Sequence, residues 1–425
     1  MLAGLMPIFD GKFQTMNSNQ HPQDIQGVSL LSLADQYELP LYVYDGEKIV
    51  NQIQAMQEAF ASVPLKIKYA TKALPNISVL KLVRNAGAGI DAVSIEEVRL
   101  GMLAGYEASE IMYTPSGVSW KEIEEAVDLG VMVNLDSIPL IREFGEKYGN
   151  RVPACIRINP HIMAGGNSKI SVGHKHSKFG ISIEQLDQIV QTVEKYQLSI
   201  AGLHVHTGSD ILDAEVFLRG AKVLFDAAKH FKELKFIDCG GGFKVAYKAG
   251  DPFTDIREVG RIVSKAFLEF CEDYGRPLEL WLEPGKFLVS ESGYFLAKTN
   301  LVKETPTVTF VGVDSGLNHL IRPMMYDAYH DVYNLSNPEG PEKTYHIVGY
   351  ICETDTLAAD RKLSEVRVGD VLVLKNAGAY GFSMASNYNS RLRPAEVLIW
   401  KGEAHLIRKR EEFEDLIRHQ VQIEL

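Results

Sequence analysis

The run Lys66-Ile67-Lys68-Tyr69-Ala70-Thr71-Lys72 alternates in apolar character and is followed at once by Ala73-Leu74-Pro75, so Lys72 projects into whatever lies beyond the end of a sheet. Three more polar groups end apolar runs downstream. They are His204-Val205-His206-Thr207-Gly208-Ser209, Asp238-Cys239-Gly240-Gly241-Gly242-Phe243 and Glu283-Pro284-Gly285-Lys286. An amine, an imidazole, a glycine turn of phosphate size and a carboxylate, gathered in one recurring structural place, are the parts that hold and tune pyridoxal phosphate.

Each group also has a plainer reading. A lysine at a strand end is ordinarily a solvated charge, whereas a lysine that carries a cofactor needs a buried amine with a depressed pKa, which the mouth of a barrel can supply. Glu283 could merely cap a turn; as a partner of the pyridine nitrogen it would keep the ring cationic and able to take up electrons. His204 and His206 could ligate a metal from one strand face, but third and fourth ligands are then needed and no further histidine ends a strand. Stacking of His206 on a cofactor ring fits better. Gly240, Gly241 and Gly242 present backbone N–H groups unobstructed by side chains, and Ser209 and Lys286 add a hydroxyl and a positive charge for the same phosphate. Asp91 and Arg157 also end apolar runs, either as an ion pair lining the interior or as direct cofactor contacts.

Elements must gather these groups. Eight strand-like runs follow one another from residue 66: Lys66 to Lys72, Gly89 to Val93, Glu110 to Thr114, Val131 to Leu135, Ala154 to Asn159, Ile200 to His206, Lys235 to Cys239 and Glu279 to Glu283. Helix-like stretches separate them, among them Ile77 to Ala86, Ser119 to Leu129, Ile183 to Tyr196, Ala214 to Phe231 and Ile256 to Tyr274. Eight alternations of this kind predict a (β/α)8 TIM barrel, whose chemistry sits where the strands end. From Gly293 the pattern changes to strand-like runs without long helices: Tyr294 to Val302, Thr307 to Val313, Thr344 to Val348, Val371 to Lys375 and Ala395 to Trp400. The expected division is a barrel over 45–290 and a β-rich domain built from 1–44 and 291–425. One loop, Pro160 to Gly180, is long enough for a lid.

Composition narrows the class. A chain of 425 residues suggests two domains, and 46% hydrophobic with 23% charged residues describes an ordinary globular protein. A net charge of −11 without clustered Lys and Arg speaks against nucleic acid or anionic membrane as a partner. The scattered Cys155, Cys239, Cys271 and Cys352 form no CxxC pair, which argues against a disulfide framework or a structural zinc site and for the cytoplasm. The N-terminal apolar run is too short for a signal peptide.

The second domain carries its own polar motifs: Arg322-Pro323-Met324-Met325-Tyr326, Cys352-Glu353-Thr354-Asp355 and Gly378-Ala379-Tyr380-Gly381-Phe382-Ser383. A free cysteine is by default a buried spectator, but Cys352 stands in a polar run, which suits a proton donor. With the barrel motifs and the stretch Gly378 to Arg391, these resemble in order the motifs of the diaminopimelate decarboxylase family, over about residues 30 to 400. That family belongs to the fold type III pyridoxal phosphate enzymes, with ornithine and arginine decarboxylases and alanine racemase. The resemblance implies a carboxy-lyase acting on meso-2,6-diaminopimelate, in which Lys72 is the Schiff-base lysine, Glu283 the pyridine partner and His206 the stacking group. It places Ser209, Gly241 and the turn Glu283, Pro284, Gly285, Lys286 around the phosphate. Arg322, Tyr326 and Glu353 become substrate contacts, Cys352 the proton donor, and Tyr380 a contact to cofactor and substrate. It further implies a homodimer with shared active sites, the Cys-Glu motif arriving from the partner.

Two positions depart from the family pattern. Lys286 replaces the usual arginine, keeping charge but losing the planar fork, and Cys-Glu-Thr replaces Cys-Glu-Ser. Diaminopimelate has a distal carboxylate and ammonium that Arg322 and Glu353 can pair with; ornithine would leave Arg322 without an anion. A related decarboxylase of lysine, ornithine or a carrier-bound amino acid, a pyridoxal-phosphate-binding protein without a reaction, and a metal hydrolase on the same barrel are the rival readings.

Overall fold

The computed structural model describes residues 21–162 and 173–425. Residues 163–172 of the expected lid loop and the first twenty residues lie outside these.

All eight expected barrel strands form: Leu65–Ala70, Gly89–Ala92, Ile111–Tyr113, Met132–Leu135, Ala154–Asn159, Ile200–Val205, Phe236–Asp238 and Glu279–Leu282. Each pairs in parallel with the next, and Glu279–Leu282 returns to Leu65–Ala70 through the register Leu280 to Leu65, closing the barrel. The strands are buried on nearly every residue because helices cover the outside and side chains fill the inside. Local signals start and stop those helices. Ser119 and Glu122 form a reciprocal capping box on Trp120–Asp128, and Asp255 accepts from the N–H groups of Arg257 and Glu258 ahead of Ile256–Tyr274, which ends on Gly275 in the left-handed conformation. Two further helices, Ile95–Leu103 and Ile138–Tyr148, complete the outer ring.

The barrel interior is layered by the two-residue period of its strands. Met112, Met132, Cys155, Phe236 and Trp281 form an apolar plug, with the Phe236 and Trp281 rings stacked at 3.7 Å and the Lys68 ammonium 4.3 Å from the Trp281 ring. Two residues further along the same strands stand Thr114, Asn134, Arg157, Asp238 and Glu283, all buried. A hydrophobic floor thus carries a polar layer, desolvated from below and open toward the strand ends.

The second sheet holds the strand Leu41–Asp45 between Gly293–Glu304, antiparallel, and Ala395–Trp400, parallel. The chain therefore enters the β-rich sheet before the barrel begins and returns to it afterwards. The expected strand Thr307 to Val313 starts at Thr309, because Thr305 caps a turn by accepting from the Val308 N–H and donating to its carbonyl. Strands Thr356–Ser364 and Glu403–Arg408 extend the sheet at its two edges.

Candidate active site

The first barrel strand ends in a 3-10 turn, Thr71–Ala73, which presents Lys72 to a cavity of about 680 Å³ at the barrel mouth. That turn is clamped from two sides. The Ala70 N–H donates to the Pro284 carbonyl at 3.1 Å, and the Ala73 carbonyl accepts from the Tyr380 N–H at 2.9 Å and the Ser383 hydroxyl at 3.2 Å. Tyr380 takes a left-handed φ of 56°, which directs the 378–383 loop over the lysine. Lys72 is exposed to the cavity, which Asp91, Glu283 and Tyr380 also line. Burial disfavours its charge, yet Tyr380, Asp91 and Glu283 together outweigh burial and hold the amine above its ordinary pKa. The expectation of a depressed pKa is therefore corrected: in this setting the free amine's pKa lies above its ordinary value, not below it.

Glu283 stands over a relay that no single strand reveals. Asn134 Nδ2 donates to His204 Nδ1 at 2.8 Å, which leaves the proton on Nε2 to be donated to Glu283 Oε2 at 3.0 Å. Burial lowers the His204 pKa, so the ring is neutral and its tautomer is set by Asn134. Burial would raise Glu283, but His204, His206 and Lys72 hold it down to about 2. Asp91 and Asp238 are pushed well above the usual carboxylate range by burial and the Glu283 charge. His204, Asp238 and Glu283 bring ligand atoms within 4.8 Å of one another, but both His204 nitrogens are already engaged. Asp91 and Arg157 do not pair with each other; Arg157 lies 4.8 Å from the Phe179 ring, and Asp91 Oδ1 has no hydrogen-bond partner.

The glycine turn is tighter than its sequence suggests. A Cβ on Gly241 would lie 2.1 Å from the Glu283 carbonyl, and one on Gly242, whose φ is 102°, 2.0 Å from the Gly208 carbonyl. Two of the three N–H groups expected to be free are engaged. Gly240 donates to Asp238 at 2.9 Å and Gly241 to His206 Nδ1 at 3.2 Å, because Asp238 closes an Asx turn and the Gly241 bond fixes the imidazole. Burial lowers the His206 pKa to about 3, so this ring too is neutral. Gly242, Ser209, Gly285 and Lys286 line the cavity beside it, and Lys286 forms an ion pair with Asp210.

Arg322, Tyr326 and Tyr380 also line the cavity. The Arg322 guanidinium lies 5.0 Å from the Tyr247 ring, and its Nη1 is buried without a partner. Tyr247, absent from the sequence reading, is held by a 3.0 Å bond between its hydroxyl and Ser290. Cys352 and Glu353 are not among the residues lining this cavity; both are exposed, so the default of a buried spectator cysteine does not apply to Cys352. Asn389 donates to Cys352 Sγ at 3.1 Å, and the Tyr388 hydroxyl donates to Glu353 at 2.5 Å.

The residues present fit pyridoxal phosphate. Buried polar atoms without partners, Glu283 Oε1, Asp91 Oδ1 and Arg322 Nη1, belong to residues lining one cavity with a lysine amine and a glycine turn. Fold and site together define the class of barrel decarboxylases that use this cofactor, and residues 46–290 match the family model of the pyridoxal-dependent decarboxylase pyridoxal binding domain. The diaminopimelate decarboxylase of Methanothermobacter thermautotrophicus is 36% identical, over 93% of this chain and 95% of that protein. The crystal structure of the Methanocaldococcus jannaschii enzyme in co-complex with L-lysine superposes with a TM-score of 0.87 at 31% identity, covering 93% of this chain and 95% of that one. That of the Helicobacter pylori enzyme complexed with L-lysine gives 0.84 at 32%, covering 91% and 98%. The chain belongs to the diaminopimelate decarboxylase family.

Proposed function

We propose that this protein releases one carboxylate of meso-2,6-diaminopimelate as carbon dioxide and leaves L-lysine, the last step of lysine biosynthesis. The observation that carries the substrate choice is Arg322, a buried guanidinium with a free nitrogen facing the same cavity as Lys72. A distal carboxylate satisfies it; lysine and ornithine, which have none, would leave a buried cation unpaired.

Bound pyridoxal phosphate supplies a cationic ring that accepts the electron pair left when the carboxylate departs. Lys72 would hold it covalently. The free oxygen of Glu283 would keep the ring-nitrogen proton in place, its charge secured by the neutral His204 behind it. His206 would lie against the ring, with Asp91 and Arg157 flanking it. Ser209, Gly242, Gly285 and Lys286 would contact the phosphate, with Tyr380 beside them, while Gly240, Gly241 and Pro284, whose backbone groups are engaged within the protein, would shape the turns that hold it. Arg322 and Tyr326 would hold the distal end of the substrate and so fix the orientation of its reacting carbon.

Glu353 would pair with the distal ammonium and the Cys352 thiol would return a proton to Cα. Because both are exposed and line no part of their own chain's cavity, we assign them to the cavity of a second copy, making a homodimer with shared sites. Residues 45–290 then act as the cofactor unit, and 1–44 with 291–425 as the unit of substrate and dimer contacts. Among the described residues no helix is long and apolar enough to cross a membrane, and all four cysteines are free thiols. Those thiols support a cytoplasmic enzyme. Product analysis tests the reading: cofactor-loaded protein is offered meso-diaminopimelate, L-lysine, L-ornithine and L-arginine separately. Lysine and carbon dioxide in equal amounts from the first substrate alone are expected; diamine from any of the others with diaminopimelate untouched would overturn it.

A further inference from the structure

We propose that Asp210 sets how tightly this chain holds its cofactor, by competing with the cofactor's phosphate for Lys286. The proposal rests on the pyridoxal phosphate reading and deepens it at one subsite.

Lys286 Nζ forms an ion pair with Asp210 Oδ1, the lysine side chain 8% exposed and the aspartate 24%. Both line the cavity beside Ser209, Gly242 and Gly285. The aspartate is held there by its backbone. Asp210 has a φ of 62°, and the next residue, Ile211, donates its N–H to the Gly242 carbonyl at 2.9 Å, stitching the 209–211 segment to the glycine turn. Asp210 is thus a fixed anion at the place where a second anion must dock.

Lysine makes the competition sharp. Its ammonium is a compact point charge, whereas an arginine at this position could bridge two anions with the two edges of its fork. In the cofactor-free protein, Asp210 neutralises a cation that is almost wholly withdrawn from water. In the loaded protein, a phosphate group of one to two negative charges takes that cation and stands beside the carboxylate. Removing the carboxylate therefore acts twice in the same direction. It strips the free protein of the counter-charge for Lys286, and it relieves like-charge repulsion in the loaded one.

The test compares pyridoxal phosphate with pyridoxal, which lacks the phosphate, by equilibrium titration of the full-length protein followed by absorbance and fluorescence. Proteins compared are the parent, Asp210→Asn, Lys286→Met and the double variant. Asp210→Gly, which accommodates the left-handed backbone without strain, is the second route to the same charge removal. Asp210→Asn and Asp210→Gly should bind pyridoxal phosphate about tenfold more tightly, with pyridoxal affinity unchanged and the Tm of the cofactor-free protein lowered. Lys286→Met should weaken pyridoxal phosphate, and in the double variant the gain from Asp210→Asn should vanish. Folded Asp210 variants whose pyridoxal phosphate affinity is unchanged or weaker, or whose pyridoxal affinity rises equally, overturn the proposal alone. Parent protein that binds neither compound overturns the cofactor reading and this proposal with it.

Discussion

A neutral imidazole behind a buried carboxylate keeps Glu283 ionised at the centre of this site, and Asn134 fixes which nitrogen of that imidazole carries the proton. Deleting the donor should be felt in the chemistry rather than in substrate binding. His204→Leu is expected to lower kcat by a factor corresponding to about 1.5–3 kcal/mol, the range for a hydrogen bond to a charged group, with KM little changed. His204→Gln, which restores an N–H donor, should recover part of the loss; steady-state kinetics of the two variants against the parent measure this. Arg322→Ala should reduce kcat/KM for diaminopimelate by roughly 2–5 kcal/mol, the cost of truncating one partner of a buried charge pair. Unchanged diaminopimelate kinetics in that variant would remove Arg322 from the substrate site. At this scale the sequence was most legible where a polar group ends an apolar run, as with Lys72, His206 and Glu283. It was least legible where a role depends on the neighbouring strand. Asn134 follows Met132 by one strand period, so its inward direction was readable, but its bond to His204 exists only through the barrel's register. Tyr247 and Asp210 sit in loops whose path no periodicity predicts.

The segment between the β-rich sheet and the barrel mouth contains a titratable group with a calculable consequence. His330 is wholly buried, its Nδ1 bonded to the Lys375 carbonyl at 2.8 Å and its ring edge-on to Tyr247 at 5.8 Å. Burial, reinforced by the Arg322 charge, lowers its pKa from 6.5 to about 3. Between those values the unfolded chain binds a proton that the folded chain refuses. This group's contribution to stability is therefore full above pH 6.5 and lost as the pH falls toward 3. His330→Gln should flatten the acid side of the stability profile by up to about 1.4 kcal/mol per pH unit, read from urea unfolding between pH 6 and 4. Comparing parent with variant cancels the opposing contributions of Asp91 and Asp238, whose raised pKa values act with the other sign. Element by element, the barrel was legible because period-two runs alternate with amphipathic helices. The sheet was less so. Thr356–Ser364 carries Asp360, Arg361 and Lys362 across its middle, with Asp360 at a φ of 51°, so the strand has no clean alternation to detect. Glu403–Arg408 is an edge strand, half in water and correspondingly polar.

At the scale of the whole molecule, one chain places the cofactor groups in a barrel mouth and the Cys352–Glu353 pair on its exposed surface. A barrel mouth open to water would admit stray protons to the reacting carbon, so a covering surface is required. On the proposed reading a second copy would supply it, and two-fold symmetry would then yield two complete sites. The mixing of Lys72→Ala protein with Cys352→Ala protein, under conditions that allow subunits to exchange, tests this most directly. Each parent should be nearly inactive in releasing carbon dioxide from meso-diaminopimelate. In a mixed dimer one of the two sites combines an intact Lys72 with an intact Cys352 of the partner subunit, so activity should return toward a quarter of the unmutated level on statistical exchange of equal amounts, about half the molecules being mixed. Exchange verified by mass labelling without any return of activity would contradict the shared site, placing Lys72 and Cys352 in one chain's chemistry or removing Cys352 from the role of proton donor.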